Sequence, residues 1–209
     1  MAKRRSRPRS TPKMIRLYHR LTQRWGEPTD LFVFDAREMD HPVNLQLLHV
    51  PSWGADKRCE VTSLNTLGMS EQRMRGARYF AELHLAFRGK LREKQRLDLA
   101  RLLADVAEYP FQNRLKLDWW EIIPTVYRIP VFTGCRHLLL HPKLVTEGMD
   151  KIEDEDGTVK LLYVVPITPL ERHLLAEHGR QAYLDYIKDE GVDILADRCD
   201  DPKWYEATD

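Results

Sequence analysis

Met14, Leu17, Tyr18, Leu21 and Trp25 recur at helical intervals and predict an amphipathic helix near the start of the chain. Thr11-Pro12 gives it a beginning, with threonine as N-cap and proline in the first turn, where a missing N–H is harmless. Gly26 gives it an end. Strand-like segments follow at 31–34, 43–50, 61–67 (ending at Gly68) and 79–87. In the last of these Tyr79, Ala81, Leu83, Leu85 and Phe87 alternate with other residues, which predicts an antiparallel setting with one covered face and one wetter face. Helical spacing returns over 94–108, with Leu99, Leu102, Leu103 and Val106 on one side. It is expected to stop at Tyr109-Pro110, since a residue before proline avoids helical geometry.

An irregular stretch containing Trp119, Trp120, Pro124 and Pro130 comes next, and of the two tryptophans one is expected in the core and one at the surface. Residues 137–141 enclose Leu138-Leu139-Leu140. An acidic hairpin-like turn over 150–157 ends in Asp156-Gly157. The run 159–165 is almost wholly apolar and is expected to be the most buried strand. Thr168-Pro169-Leu170-Glu171 is a capping box for a final helix, which Gly179 divides and Gly191 ends. The order of helix, strands, helix, strands, helix predicts a single α+β domain with a mixed, largely antiparallel β-sheet flanked by helices.

Charge changes this picture at the N-terminus. Nine basic residues and no acidic one occur up to Arg24; removing them from 33 basic residues leaves 24 against 32 acidic, a balance of −8. Residues 1–10 read as a disordered basic arm, 11–200 as the domain and 201–209 as a short tail. The arm suits phosphates on nucleic acid or a membrane surface, or else serves as a solubilising arm folding back on an acidic body. Arg16, Arg20 and Arg24 form a basic stripe expected to be solvated. No stretch is apolar enough for a membrane span or a secretory signal, and Cys59, Cys135 and Cys199 match no ligand or redox spacing, which points to a reducing cytoplasm.

Candidate chemistry is sparse. The chain carries neither a Gly-rich phosphate loop nor a Gly-x-Ser-x-Gly elbow. His137 and His141 sit four apart on a strand, about 13 Å from one another. His173 and His178 sit five apart, a poor phase for metal ligands on an α-helix, so neither a metal nor a cofactor is expected. An enzyme would need scattered residues, with Glu82, His84, Asp118, Glu121 or His137 converging on a cleft. The most unusual local feature is Thr66-Leu67-Gly68-Met69-Ser70, where a strand ends in glycine. Arg73, Arg75 and Arg78 then make the next loop basic.

This segment, followed by Phe80-Ala81-Glu82-Leu83, resembles the paired signature of the suppressor-of-fused domain family. The resemblance continues through the helix ending Glu108-Tyr109-Pro110, then Leu138-Leu139-Leu140, Pro166 within the apolar strand, Glu171, Gly179 and Arg198, and covers most of the chain. It implies a helix-flanked sheet without known catalysis that works by binding another protein. Its single-domain bacterial members look like immunity proteins, so the implied partner is a toxin domain. Leu64 stands where the two-domain animal relative carries tyrosine. Gly68, Met69 and Ser70 with Arg73, Arg75 and Arg78 are expected to border the contact surface, and nucleic acid would be met only through the arm.

Overall fold

The apolar run 159–165 becomes part of the central strand of an eight-stranded sheet. This strand, β8 (Gly157–Ile167), is buried from Leu161 to its end because helices cover both of its faces. The computed structural model describes residues 10–38, 43–57, 59–125, 128–142 and 149–199, so the predicted arm (Ser10 aside) and tail lie outside the described residues. The other elements, in chain order, are α1 (Pro12–Trp25), β1 (Asp30–Asp35), β2 (Leu47–Trp53), β3 (Val61–Asn65), β4 (Phe80–Arg88), α2 (Glu93–Gln112), β5 (Ile122–Pro124), β6 (His137–His141), β7 (Lys151–Asp154), α3 (Pro169–His173) and α4 (Gly179–Asp189).

The strand order is β1-β2-β3-β4-β8-β6-β5. Among the described residues only the β4–β8 pair is parallel; the other pairs are antiparallel. One edge of β8 holds β4, while the other holds β7 along its first half and β6 along its second. The result is one α+β domain of the expected class. The acidic turn is centred on Glu155-Asp156, since Asp154 pairs with Gly157, whose φ is +122°.

Alternate residues of β8 face opposite sides of the sheet and serve three apolar clusters. Leu162 and Val164 pack with Leu83, Leu85, Leu99 and Leu103 on the α2 side. Val159, Leu161 and Tyr163 pack with Met14, Leu17 and Leu21 of α1, and Val165 and Ile167 with Tyr183 of α4. This corrects the expectation for β4, whose second face is not wet. Glu82 and His84 point there and are buried beneath α1, at 1% and 5% exposure.

The helices begin as predicted and one ends differently. Thr11 Oγ1 accepts the Met14 N–H at 3.1 Å. Thr168 accepts from Glu171 N while the Glu171 carboxylate accepts from Thr168 N, completing the capping box. Helix α2, however, runs through Pro110 to Gln112. A proline this close to a helix end removes one backbone hydrogen bond from its final turn. Burial of Val106, Ala107 and Pro110 offsets that loss.

Candidate functional site

The turn after β3 is organised by a single buried carboxylate. Glu82 Oε1 accepts from Gly68 N (2.9 Å), Ser70 N (3.1 Å) and Ser70 Oγ (2.7 Å), and Oε2 accepts from Thr66 Oγ1 at 2.6 Å. Thr66 Oγ1 in turn accepts from Leu83 N. Four donors converge because the turn residues lie outside any ladder, and their N–H groups need acceptors where water is excluded. Burial pushes the Glu82 carboxyl above its ordinary range, and the donors oppose that shift. Gly68 has φ +126°, and a Cβ there would sit 2.4 Å from Leu47 O. Both the backbone conformation and the close approach of β2 demand glycine.

Helix α1 is fastened to the same turn. Lys13 Nζ donates to Ser70 O at 2.7 Å and lies 3.2 Å from the centre of the Phe80 ring. Burial lowers its pKa, and Asp156, Asp154, Glu71 and Glu82 counteract. Thr11 Oγ1 donates to Glu71 at 2.6 Å. Arg16 makes a paired contact with Asp154 at 2.7 and 2.8 Å and a further bond to Asp156, so the basic stripe is not simply solvated. That contact holds the Asp154 carboxyl down at about 2. The structural reason is that α1 packs beside the β7–β8 turn, whose carboxylates face it.

The predicted contact residues separate into two groups. Gly68, Met69 and Ser70 are buried and form the base, whereas Arg73, Arg75 and Arg78 are exposed. Arg73 lies 4.7 Å from the Phe80 ring, on which Lys13 also sits. Among the described residues neither Arg75 nor Arg78 has an ion-pair partner. A second cation–aromatic group follows: Lys160 is 3.9 Å from the Tyr79 ring centre, 4.3 Å from that of Trp119, and bonded to Asp118 at 2.8 Å. Trp119 and Trp120 are both half-buried and turn to opposite sides, a reversal that gives Trp120 a φ of +71°.

The remaining signature residues anchor irregular chain. Arg198 grips Glu171 through two bonds of 2.8 and 2.9 Å and donates to Pro166 O. Gly179, with φ +83°, divides the last helical region as expected. Pro110 is buried beside Glu108, whose carboxylate accepts from the N–H groups of Asn44 and Leu45. Sequence reasoning missed that role and the burial of Lys13; a glutamate inside an apolar helix face and a lysine beside Met14 were the available signals.

The scattered carboxylates and histidines have separate environments. His84 lies between Trp25 and Tyr163, 4.8 Å from each ring centre, and desolvation lowers its pKa to about 3. Asp118 and Glu121 meet through Asp118 N. Among the described residues no hydrogen bond or ion pair joins Glu82, His84 or His137 to each other or to that turn. A groove of about 580 Å³ also opens beside α2, lined by Phe34, Leu45, Leu48, Val106, Tyr109 and Ile123 among others.

A mixed sheet is held between helices, with buried glutamates fastening its loops and an exposed basic loop beside them. The suppressor of fused protein family model matches residues 41–197, and the chain belongs to that family of protein-interaction domains. Three solved structures share the fold, each at 16% identity. A suppressor of fused homologue from Neisseria gonorrhoeae aligns with a TM-score of 0.68 over 90% of this chain and 95% of its own. Drosophila Suppressor of Fused aligns at 0.63 over 88% of this chain and 49% of its own. A Sufu–Fu complex structure aligns at 0.60 over 89% and 86%. No curated protein matches the sequence. Among the described residues no helix is long and apolar enough to cross a membrane.

Proposed function

We propose that the chain is a non-catalytic binder of one partner protein, and that loop 73–78 forms the centre of its contact surface. The observation that carries this reading is the exposure of Arg73, Arg75 and Arg78 on a loop whose base, Gly68 and Ser70, is clamped by Glu82. A clamped base reduces the conformational freedom lost on association. Planar guanidinium groups suit carboxylates and backbone carbonyls at an interface. A relative was crystallised as a Sufu–Fu complex, which supports binding to another protein. Within this reading the partner is a toxin and the domain its immunity protein, acting by occlusion, as the resemblance to single-domain bacterial members implies.

The test has two stages. Pull-downs from the native organism compare the wild type with an R73A/R75A/R78A variant of the same folded stability. A partner recovered by the wild type and lost by the variant supports the site; equal recovery overturns it. The recovered protein is then produced in a laboratory bacterium with and without this chain. Growth arrest relieved by co-production supports the toxin reading, and unimpaired growth without the chain refutes it.

A further inference from the structure

Residues five apart on an α-helix point in directions about 140° apart, as 3.6 residues per turn dictates. His173 and His178 nevertheless have ring centres 6.0 Å apart, meeting at 74°. The cause is local: Leu174–His178 is a π-helical turn between α3 and α4, and i→i+5 hydrogen bonding stacks residues at that spacing. Gly179, in the left-handed region at φ +83°, follows directly. The poor phasing expected from an α-helix is therefore corrected by the turn.

We propose that this π-turn is a two-histidine chelate for a borderline divalent transition-metal ion, with His173 and His178 as its protein ligands. Metal–nitrogen bonds of about 2 Å place the centres of two imidazoles sharing one ion roughly 4.5–5 Å apart, so the pair, at 6.0 Å, closes by about 1 Å on an ion as His178 turns its ring. His178 is exposed and His173 half-buried, so an ion reaches the pair from solvent and His178 has room to turn its ring. Among the described residues no third histidine, cysteine or carboxylate completes the group. The remaining positions fall to water, which makes the site open and exchanging. Imidazole ligands select Cu²⁺, Ni²⁺ and Zn²⁺, whereas Mg²⁺ and Ca²⁺ require oxygen ligands that the pair does not offer. The site is independent of the basic loop and of the proposed partner.

The experiment is calorimetric titration of the untagged full chain with NiCl₂, and with MgCl₂ in parallel. The wild type is expected to bind one Ni²⁺ at this pair and no Mg²⁺. Because the second imidazole binds intramolecularly, His178→Gln and His173→Gln should each weaken that event on the order of a hundredfold. The exposed His178 carries the decisive variant, since its replacement leaves the packing intact. Ni²⁺ affinity in His178→Gln equal to the wild type, or no Ni²⁺ binding by the wild type, overturns the site.

Discussion

Glu82→Ala removes the acceptor from Thr66 Oγ1, Gly68 N, Ser70 N and Ser70 Oγ and leaves all four donors in an interior that excludes water. Each orphaned donor costs about 1–3 kcal/mol. The carboxylate's own desolvation penalty disappears with it, so the net loss is about 3–5 kcal/mol, the usual range for breaking a buried charged network. For a chain of this size that corresponds to a fall in Tm of roughly 6–20 °C. Glu82→Gln retains an oxygen for the three bonds at Oε1 but opposes an amide donor to the Thr66 hydroxyl. One charge-assisted bond is lost, about 1.5–3 kcal/mol. Urea unfolding followed by tryptophan fluorescence measures both variants. Limited trypsin digestion gives an independent readout, because a released turn frees Arg73, Arg75 and Arg78 for cleavage. The reasoning fails if alanine lies within about 1 kcal/mol of the wild type, or if glutamine is no more stable than alanine.

Two further outcomes follow from the same region. Gly68→Ala places a Cβ against Leu47 O in a backbone conformation that L-residues avoid and should destabilise by about 3 kcal/mol or more, measured by urea midpoint; a neutral effect would show that β2 can retreat. His84, with its folded pKa lowered to about 3, contributes stability that is present above its unfolded pKa and is lost as pH falls through the window between the two. His84→Leu should therefore flatten the profile. Between pH 6.5 and 5 the wild type is expected to lose about 1.6 kcal/mol more than the variant, the slope rising from half of about 1.4 kcal/mol per pH unit at the unfolded pKa to nearly that full value below it, and parallel unfolding profiles would contradict this.

What was readable in the sequence was local chemistry. Thr11-Pro12, Thr168 to Glu171 and Gly179 act over a few residues, so their caps and breaks follow from the residue types alone. The apolar run 159–165 announces a strand covered on both sides. Tertiary partners decided the rest. The alternation in β4 suggested one wet face because Glu82 and His84 are polar, yet α1 covers them; nothing within β4 itself reports that cover. Pro110 lies inside α2 because packing outweighs one missing hydrogen bond. The parallel β4–β8 pair joins strands separated by α2, β5, β6 and β7, and local pattern carries no record of it. Among the site residues, the arginines of loop 73–78 are exposed and the glycine turn is buried beneath them, a difference in depth that the residue types alone do not carry.

The buried glutamates explain how such a loop is held. Glu82, Glu108 and Glu171 sit on strands or α-helices, and each binds chain outside them: residues 66–70, which close in a short 3-10 turn, residues 44–45, and Arg198. Irregular backbone cannot enter the interior without acceptors for its N–H groups, and a carboxylate offers two oxygens able to take several donors at once. Apolar replacements would pack against these turns without satisfying them. A polar residue buried on a strand or helix here therefore serves the order of a neighbouring loop. Carboxylates committed to backbone donors have their lone pairs occupied, whereas the groups left facing outward are the arginines that the Glu82 clamp holds in place.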